Sequence, residues 1–328
     1  MSSETLSAQK LKNKKQMKAS HRRTQMPVSE FISLYDNPKT KYNYLLAVTN
    51  FLKFIYEDEE ITTQNKKQLN SYAKDYLKTL KKERDLFYDL KLTANAYAKK
   101  YAPKTARLNL TITIIWLEDN GHKLSRRDRK RIFATLPAPQ AVRKDPELTA
   151  ELFAKIKKHL PLWAKTMLVV LTGSGIRIGE ALKLKKTDLN KTGKRTTATI
   201  KAENSKTKTE RTVYLTNEAE ESLRKYLAER NDTDDRLFPY SAAQAQYTLR
   251  KAKTKASADF FGEKNIMLFH WHVTRKWFLS RFNLSASKSV GEMLAGHAGY
   301  LDNAYRRYSS DVVADEFIKA EPFIEITG

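Results

Sequence analysis

The chain of 328 residues contains no cysteine, which excludes disulfide bonds and thiolate metal sites. No apolar run approaches the roughly 20 residues that a membrane-spanning helix needs. The first residues, MSSETLSAQKLKNKKQMK, lack the apolar core of a secretory signal. These absences predict a soluble cytoplasmic protein.

Acidic residues are scarce. The chain has 37 of them against 61 lysines and arginines, which gives a formal net charge of +24. Repulsion on this scale is tolerated when the working partner is a polyanion. Nucleic acid is the first candidate, an anionic membrane surface is the second, and a structural RNA-binding protein would carry the same signal.

Several signatures of enzyme chemistry are also missing. The sequence has no GxxxxGK[ST] phosphate loop and no HExxH helix. No paired acids stand at a spacing typical of a two-metal nuclease. We therefore predict no cofactor and no bound metal.

Changes in periodicity divide the chain into segments. Residues 1–26 form a basic flexible tail, and residues 27–136 are helical with no strand signal. Residues 137–145, which carry two prolines, are the predicted linker. Residues 146–310 form a second, mixed domain, which is followed by a C-terminal segment at 311–328.

Local signals place the elements of the second domain. Thr149 is a predicted helix N-cap. TTATIKAE and RTVYLT alternate as strands, and the polar NSKTKTE between them predicts a hairpin tip. Helices are expected near residues 217–230, 242–256 and 272–282. The predicted fold class is mainly α with a small antiparallel β-sheet.

Chemistry is concentrated in four places along this second domain. They are GSGIRIGEAL with Arg177 and Glu180, the hairpin tip with Lys206 and Lys208, FHWHVTRKWF with His272 and Arg275, and AGHAGYLDNAYRRYS with His297, Tyr300, Tyr305 and Tyr308.

Each place also has a purely structural interpretation. Arg177 and Glu180 could be an ordinary ion pair, and a lysine at a hairpin tip is usually solvated. His272 lies between tryptophans and could be a core histidine, although its spacing from Arg275 puts both on one helical face. The tyrosines could serve only in packing.

The order of these residues along the chain, which is Arg, Lys, His-x-x-Arg, Gly-His and Tyr, resembles the order of motifs in the tyrosine recombinases and phage-type integrases. TGSGIRIGEALKLKKTDL resembles that family's first box, and LAGHAGYLDNAYRRY resembles its last. YAPKTARLNLTITIIWLEDNGHKLSRRD and the tail after Tyr305 look most like integrases of archaeal viruses and plasmids. The resemblance implies an all-helical core-binding domain and a mixed α/β catalytic domain of the DNA breaking-rejoining fold.

The resemblance also implies roles for individual residues. By this correspondence Arg177 and Arg275 hold the scissile phosphate, and Glu180 braces the site. Lys206 is the general acid, with Lys208 as the fallback. His272 and His297 take the two histidine positions of the family. Lys206 is chosen because it stands seven residues before Val213, as the family lysine does.

The position of the nucleophile is less direct. The family commonly places its tyrosine nine residues after the second histidine, which here is Arg306. Tyr305 is one residue short of that position and Tyr308 is two beyond it. We predict Tyr305, because AYRRYS followed by an acidic helix resembles the archaeal form. Tyr308 is the fallback, and Tyr300 stands too close to His297.

The expected function is that of a site-specific DNA recombinase, an integrase of a mobile element. It would cut and rejoin duplex DNA through a 3′-phosphotyrosyl intermediate without metal or ATP. The alternatives are a type IB topoisomerase-like or resolvase-like enzyme and a catalytically inactive DNA-binding protein of the same fold.

The expected partners are double-stranded DNA, three further copies of the chain in a tetramer on that DNA, and accessory DNA-bending proteins. The acidic C-terminal segment is expected to dock on a neighbouring subunit, with folding onto its own domain as the alternative. Its acids include Asp311, Asp315, Glu316 and Glu321.

Overall fold

The computed structural model describes residues 26–80, 82–139, 145–191, 193–260, 263–297 and 308–326. The chain divides into two units, Met1–Lys144 and Asp145–Gly328. The predicted basic tail up to residue 25, most of the predicted linker, Tyr300 and Tyr305 lie outside the described residues.

The first unit is built from helices in its described residues. They are α1 (Val28–Ser33), α2 (Pro38–Tyr56), α3 (Lys66–Thr79), α4 (Leu86–Lys100), α5 (Pro103–Asp119) and α6 (Arg126–Ala134). Side-chain caps set several of their starts. The Asn37 side chain accepts from two backbone amides of α2, and Ser125 accepts from Asp128 N in α6. Helix α5 ends beside Gly121, which adopts a φ of +84°.

Three aromatic side chains join the central helices of this unit. Phe51 of α2 packs edge-on against Tyr76 of α3 and Trp116 of α5, with centroid distances of 5.1 and 6.3 Å. All three are fully buried. Each contributes on the order of 2 kcal/mol through the loss of hydrated apolar surface.

The second unit combines helices with one small sheet. Its helices are α7 (Ala150–Lys158), α8 (Leu162–Ser174), α9 (Ile178–Ala181), α10 (Asn217–Ala228), α11 (Ala242–Asp259), α12 (Lys264–Leu268), α13 (Val273–Ser285), α14 (Lys288–Ala295) and α15 (Ser310–Ile324), with a 3₁₀ turn at Lys186–Asp188. As predicted, Thr149 caps α7, accepting from Leu152 N at 3.2 Å.

The sheet is antiparallel in the order β1 (Leu189–Asn190), β2 (Thr197–Ile200) and β3 (Arg211–Tyr214). Ala198 of β2 lies opposite Leu189 on one side and Val213 on the other. The predicted hairpin is β2–β3, whereas the two-residue strand β1 has too few residues to show alternation. The mainly α fold with a small antiparallel sheet is confirmed.

In the single chain, helix α15 packs on its own unit, which is the alternative that the sequence left open beside docking on a neighbouring subunit. Phe317 of α15 stacks on Tyr214 at 5.3 Å, and Ile324 O accepts from Trp277 Nε1 at 2.7 Å. The acids of α15 pair within the chain as well, with Glu321 bound to Arg195 at 2.6 Å. The helix has an apolar face alongside its acids, and that face completes the core of the unit.

No helix among the described residues is both long enough and apolar enough to cross a membrane.

The end of α8 gives a prediction for stability. Gly175 follows α8 with a φ of +68°, and a Cβ there would lie 2.3 Å from Phe278 Cδ1. Gly175→Ala should lower the free energy of unfolding by about 1–3 kcal/mol, because alanine is strained at positive φ and meets a packed ring. Thermal or denaturant unfolding measures this change.

Gly179→Ala is the matched control, because a Cβ at this helical glycine would meet no heavy atom within 4 Å. We expect it to keep or slightly raise stability. Equal losses from the two substitutions would contradict this explanation.

Candidate active site

The C-terminal end of α14 gathers arginines from three elements. Three consecutive backbone carbonyls each accept from a different guanidinium. The pairs are Arg211 Nε to Leu294 O at 2.9 Å, Arg275 Nη1 to Ala295 O, and Arg177 Nη2 to Gly296 O at 3.2 Å. Carbonyls at the end of a helix lack partners within the helix and carry partial negative charge, so cations are favourable there.

Glu180 is the carboxylate at the centre of this cluster. It lies in the short helix α9, where Oε2 accepts from Arg177 N at 2.9 Å and Oε1 accepts from Arg177 Nη1 at 3.0 Å. Arg211 Nη2 donates to Oε2 at 2.7 Å. Burial raises the pKa of Glu180, but hydrogen bonds and charge from Arg211 and Arg177 outweigh it and hold the pKa below its ordinary value. Glu180 is therefore ionised.

Arg275 of α13 is buried beneath the cluster. Besides Ala295 O, its Nη1 also donates to Gly175 O at 2.9 Å. Its Nη2 is buried and has no hydrogen-bond partner among the described residues. Burial, together with the charges of Arg177 and Arg211, lowers the pKa of Arg275 to about 10. Its environment is therefore short of negative charge.

His272 stands just before α13. The imidazole is exposed, which excludes the core interpretation, although partial desolvation still lowers the pKa of His272 below 6.5. The charges of Arg275, Lys276 and, more weakly, Arg177 lower the pKa further. His272 thus lies within electrostatic reach of both predicted phosphate-binding arginines.

His297 follows the carbonyl that binds Arg177. Gly296 ends α14 with a φ of +75°, and His297 N donates to Glu292 O at 3.1 Å. The His297 Nδ1 atom contacts Glu292 Oε2. A carboxylate on Nδ1 favours a proton at that nitrogen, which orients the ring and leaves Nε2 to face outward.

Lys206 lies in the turn between β2 and β3 and is exposed. Lys208 in the same turn is exposed and has a φ of +58°. In the described part of the chain, neither ammonium is bonded to Glu180 or to the carbonyls that accept from the three arginines. A third lysine nearby, Lys201, is held by Asp188 at 2.9 Å.

The structure therefore pairs Arg177 with Glu180 and brings Arg275 to the next carbonyl of the same helix end, within electrostatic reach of both. His272 lies within electrostatic reach of the two arginines, and His297 follows the carbonyl that binds Arg177. Lys206 is exposed on the β2–β3 turn. Tyr308 is described and exposed, and it precedes α15. Tyr305 and Tyr300 lie outside the described residues.

Sequence reasoning missed two residues of the cluster, Arg211 and Glu292. For Arg211 a signal was present. It shares strand parity with Val213, so alternation places its side chain on the buried face, where an arginine requires a partner. Glu292 stands five residues before His297, a spacing without a distinctive pattern.

In the described part of the chain, no three His, Cys, Asp or Glu side chains are grouped as a metal site requires.

The lowered pKa of His272 predicts a pH effect. The unfolded chain binds this proton more tightly than the folded chain, so this contribution to stability is complete above about pH 6.5 and is lost as the pH falls below it. His272→Gln should therefore lose less stability than the wild type between about pH 7 and pH 5. Unfolding at several pH values tests this, and NMR titration of the imidazole gives the pKa directly. An identical pH profile for the two proteins would contradict the prediction.

Residues 142–308 match the Phage integrase family, a span of about half the chain. No curated protein matches the sequence.

Solved structures of similar fold include two integrases. One is a lambda integrase dimer bound to a COC′ core site, with 16% identity, 86% of this chain and 96% of that chain covered, and a TM-score of 0.57. The other is the Tn1549 transposon integrase in complex with transposon right end DNA, with 14% identity, coverages of 83% and 98%, and a TM-score of 0.55. Taken with the family match over residues 142–308, these results establish that the chain belongs to the phage integrase family of tyrosine recombinases.

Proposed function

We propose that the protein is a site-specific DNA recombinase that cuts and rejoins duplex DNA through a 3′-phosphotyrosyl intermediate. One observation carries the proposal. Arg275 Nη2 is buried without a partner among the described residues, beside two further guanidiniums, Arg177 and Arg211, that share the carboxylate of Glu180. A phosphodiester is an anion that would satisfy both the unpaired donor and the excess positive charge.

The arginines would act on the phosphate. Arg177 is partly exposed, and Arg275 Nη2 has no partner among the described residues, so both guanidiniums keep N–H groups that could bind the non-bridging oxygens. Guanidiniums placed before the reaction stabilise charge that builds up in the pentacoordinate transition state. These fixed cations provide the stabilisation that metal ions provide in many nucleases.

Tyr305 is the proposed nucleophile. A tyrosine hydroxyl has an ordinary pKa near 10, about three units above neutral pH, so ionising it costs roughly 4 kcal/mol. The positive charge of Arg177 and Arg275 would lower that cost. Attack of Tyr305 Oη on phosphorus forms the 3′-phosphotyrosyl ester and breaks the bond to the 5′ oxygen.

The departing 5′ oxygen needs a proton, and Lys206 is the proposed donor. Lys206 is exposed on the β2–β3 turn, which is compatible with contact to DNA. In rejoining, a 5′-hydroxyl attacks the phosphotyrosyl ester, Lys206 takes that proton back, and the tyrosine leaves. The ester retains the bond energy, so no ATP is required.

His272 and His297 would complete the phosphate site. The lowered pKa of His272 favours its neutral imidazole, which can donate a hydrogen bond from one ring nitrogen to a phosphate oxygen. Glu292 on Nδ1 of His297 would fix the orientation of that ring beside the phosphate, with Nε2 as a hydrogen-bond acceptor.

Helix α11 supports duplex DNA as the substrate. Its buried residues are all small or aliphatic and form a narrow stripe, and its other face is basic. The cations on α11 are Arg250, Lys251, Lys253 and Lys255, and the helix contains no acid before Asp259. A surface of this kind suits a phosphate backbone.

Recombination also sets a requirement for assembly. Exchanging both strands between two duplexes takes four cleavages, so a tetramer with one active site per chain is the proposed working form. The structural relatives are named as integrases on DNA, which agrees with a DNA-bound assembly. The narrower proposal, an integrase of an archaeal virus or plasmid with accessory DNA-bending proteins, rests on the sequence resemblance.

The nucleophile can be identified directly. Incubated in EDTA with a nicked duplex that traps the cleaved state, the wild type should form a protein–DNA adduct that survives SDS. Tyr305→Phe should abolish the adduct while DNA binding is retained, because only the attacking hydroxyl is removed.

Tyr300→Phe and Tyr308→Phe are the matched controls and should still form the adduct. Loss in Tyr308→Phe alone would transfer the role to Tyr308. No adduct from the wild type would refute the covalent mechanism.

Arg275 provides the test of the phosphate site. Arg275→Lys should slow cleavage about 10²-fold or more, because a lysine is a single point charge that cannot reproduce the fork of donors. Arg195→Lys is the control, since Arg195 pairs with Glu321 at 2.6 Å and has no contact with the cluster. Single-turnover adduct formation measures both rates. Equal rates would show that Arg275 does not act on the phosphate.

A further inference from the structure

Arg211, the first residue of β3, connects three elements of the site. Its side chain is 4% exposed. The guanidinium donates to both carboxylate oxygens of Glu180, at 2.7 and 3.3 Å, and to Leu294 O at 2.9 Å. It thereby links the sheet to α9 and to the end of α14. None of these contacts is local, since the partners stand 31 and 83 residues away in sequence.

The same guanidinium supports the turn that leads to His297. A Cβ placed on Gly296 would lie 2.7 Å from Arg211 Cζ, so only glycine allows so close an approach. Gly296 also has a φ of +75°, which glycine adopts without strain. The carbonyl that receives Arg177, and the backbone that carries His297, therefore rest against Arg211.

Arg211 also changes the charge that Arg177 presents. Glu180 is buried and ionised, and it needs compensation from its neighbours. Arg211 supplies two of its contacts. Without Arg211, the carboxylate would be balanced by Arg177 alone, and Arg177 would be drawn into a closed ion pair. With Arg211 present, more of the positive charge of Arg177 is left for an incoming anion.

We propose that Arg211 is a positioning residue of the active site. It holds Glu180 and the end of α14 in place, so that Arg177 and His297 face the scissile phosphate, and it takes up the charge of Glu180. Because its Nε, Nη1 and Nη2 atoms all donate to groups of the protein, it acts through these residues and does not touch DNA. This inference rests on the proposed recombinase function.

The test compares Arg211→Gln and Arg211→Lys with Arg195→Gln. Arg195 is the matched control, because its Nε donates to both carboxylate oxygens of Glu321, at 3.1 and 2.8 Å, in an ion pair of similar geometry away from the cluster. Three quantities are measured for each protein: the melting temperature, the dissociation constant for duplex DNA, and the single-turnover rate of adduct formation at saturating DNA.

All three variants should melt below the wild type. Arg211→Gln should also cleave about 10-fold more slowly or worse, with its dissociation constant unchanged, because small displacements of catalytic groups are costly. Arg211→Lys should recover part of the rate, since lysine restores the positive charge but not the several N–H donors of the planar guanidinium. Arg195→Gln should keep the wild-type rate per folded molecule.

Equal cleavage rates for Arg211→Gln and Arg195→Gln would reject the positioning role. Should Arg211→Gln fail to fold, the same comparison applies to Arg211→Lys and Arg195→Lys, and equal rates there also reject it. An adduct formed normally by the Arg211 variants rejects this inference alone. A wild type that forms no adduct rejects the proposed function, and this inference with it.

Discussion

The convergence of three guanidiniums on the end of α14 is the interaction on which the candidate site depends. Each arginine comes from a different element: Arg177 from the start of α9, Arg211 from β3 and Arg275 from α13. The last carbonyls of a helix have no partners within it, and in a buried setting they require donors. Satisfying them with arginines fixes the relative positions of a helix end, a strand and a second helix in one step.

The same arrangement is electrostatically unbalanced. Like charges at close range oppose one another, and this repulsion helps to lower the pKa of Arg275 to about 10. Glu180 compensates only part of it. A cluster of this kind costs stability in the free protein, and an anion that enters would recover the loss. The unpaired Nη2 of Arg275 marks where such an anion would be held most directly.

The C-terminal helix packs within the single chain through both its acids and its apolar face. The acids of α15 do make protein contacts, as their position in a basic chain suggests. The contacts are with the same unit, where Lys194 binds Asp315 at 2.8 Å and Arg195 binds Glu321. Charge alone does not distinguish a neighbouring subunit from the helix's own domain. The apolar side chains of α15, led by Phe317, enter the core of the unit.

The sequence by itself determined whatever depends on near neighbours. Thr149 caps α7, alternation produces the β2–β3 hairpin, and the ordered motifs identify Arg177, Glu180, His272, Arg275 and His297 as candidates, because caps and periodicity involve residues a few positions apart. Only the tertiary structure decided that Arg211 shares Glu180, that Arg275 reaches back 100 residues to Gly175, and that α15 covers its own unit. Such contacts join distant segments, and packing rather than local spacing determines which distant side chains meet.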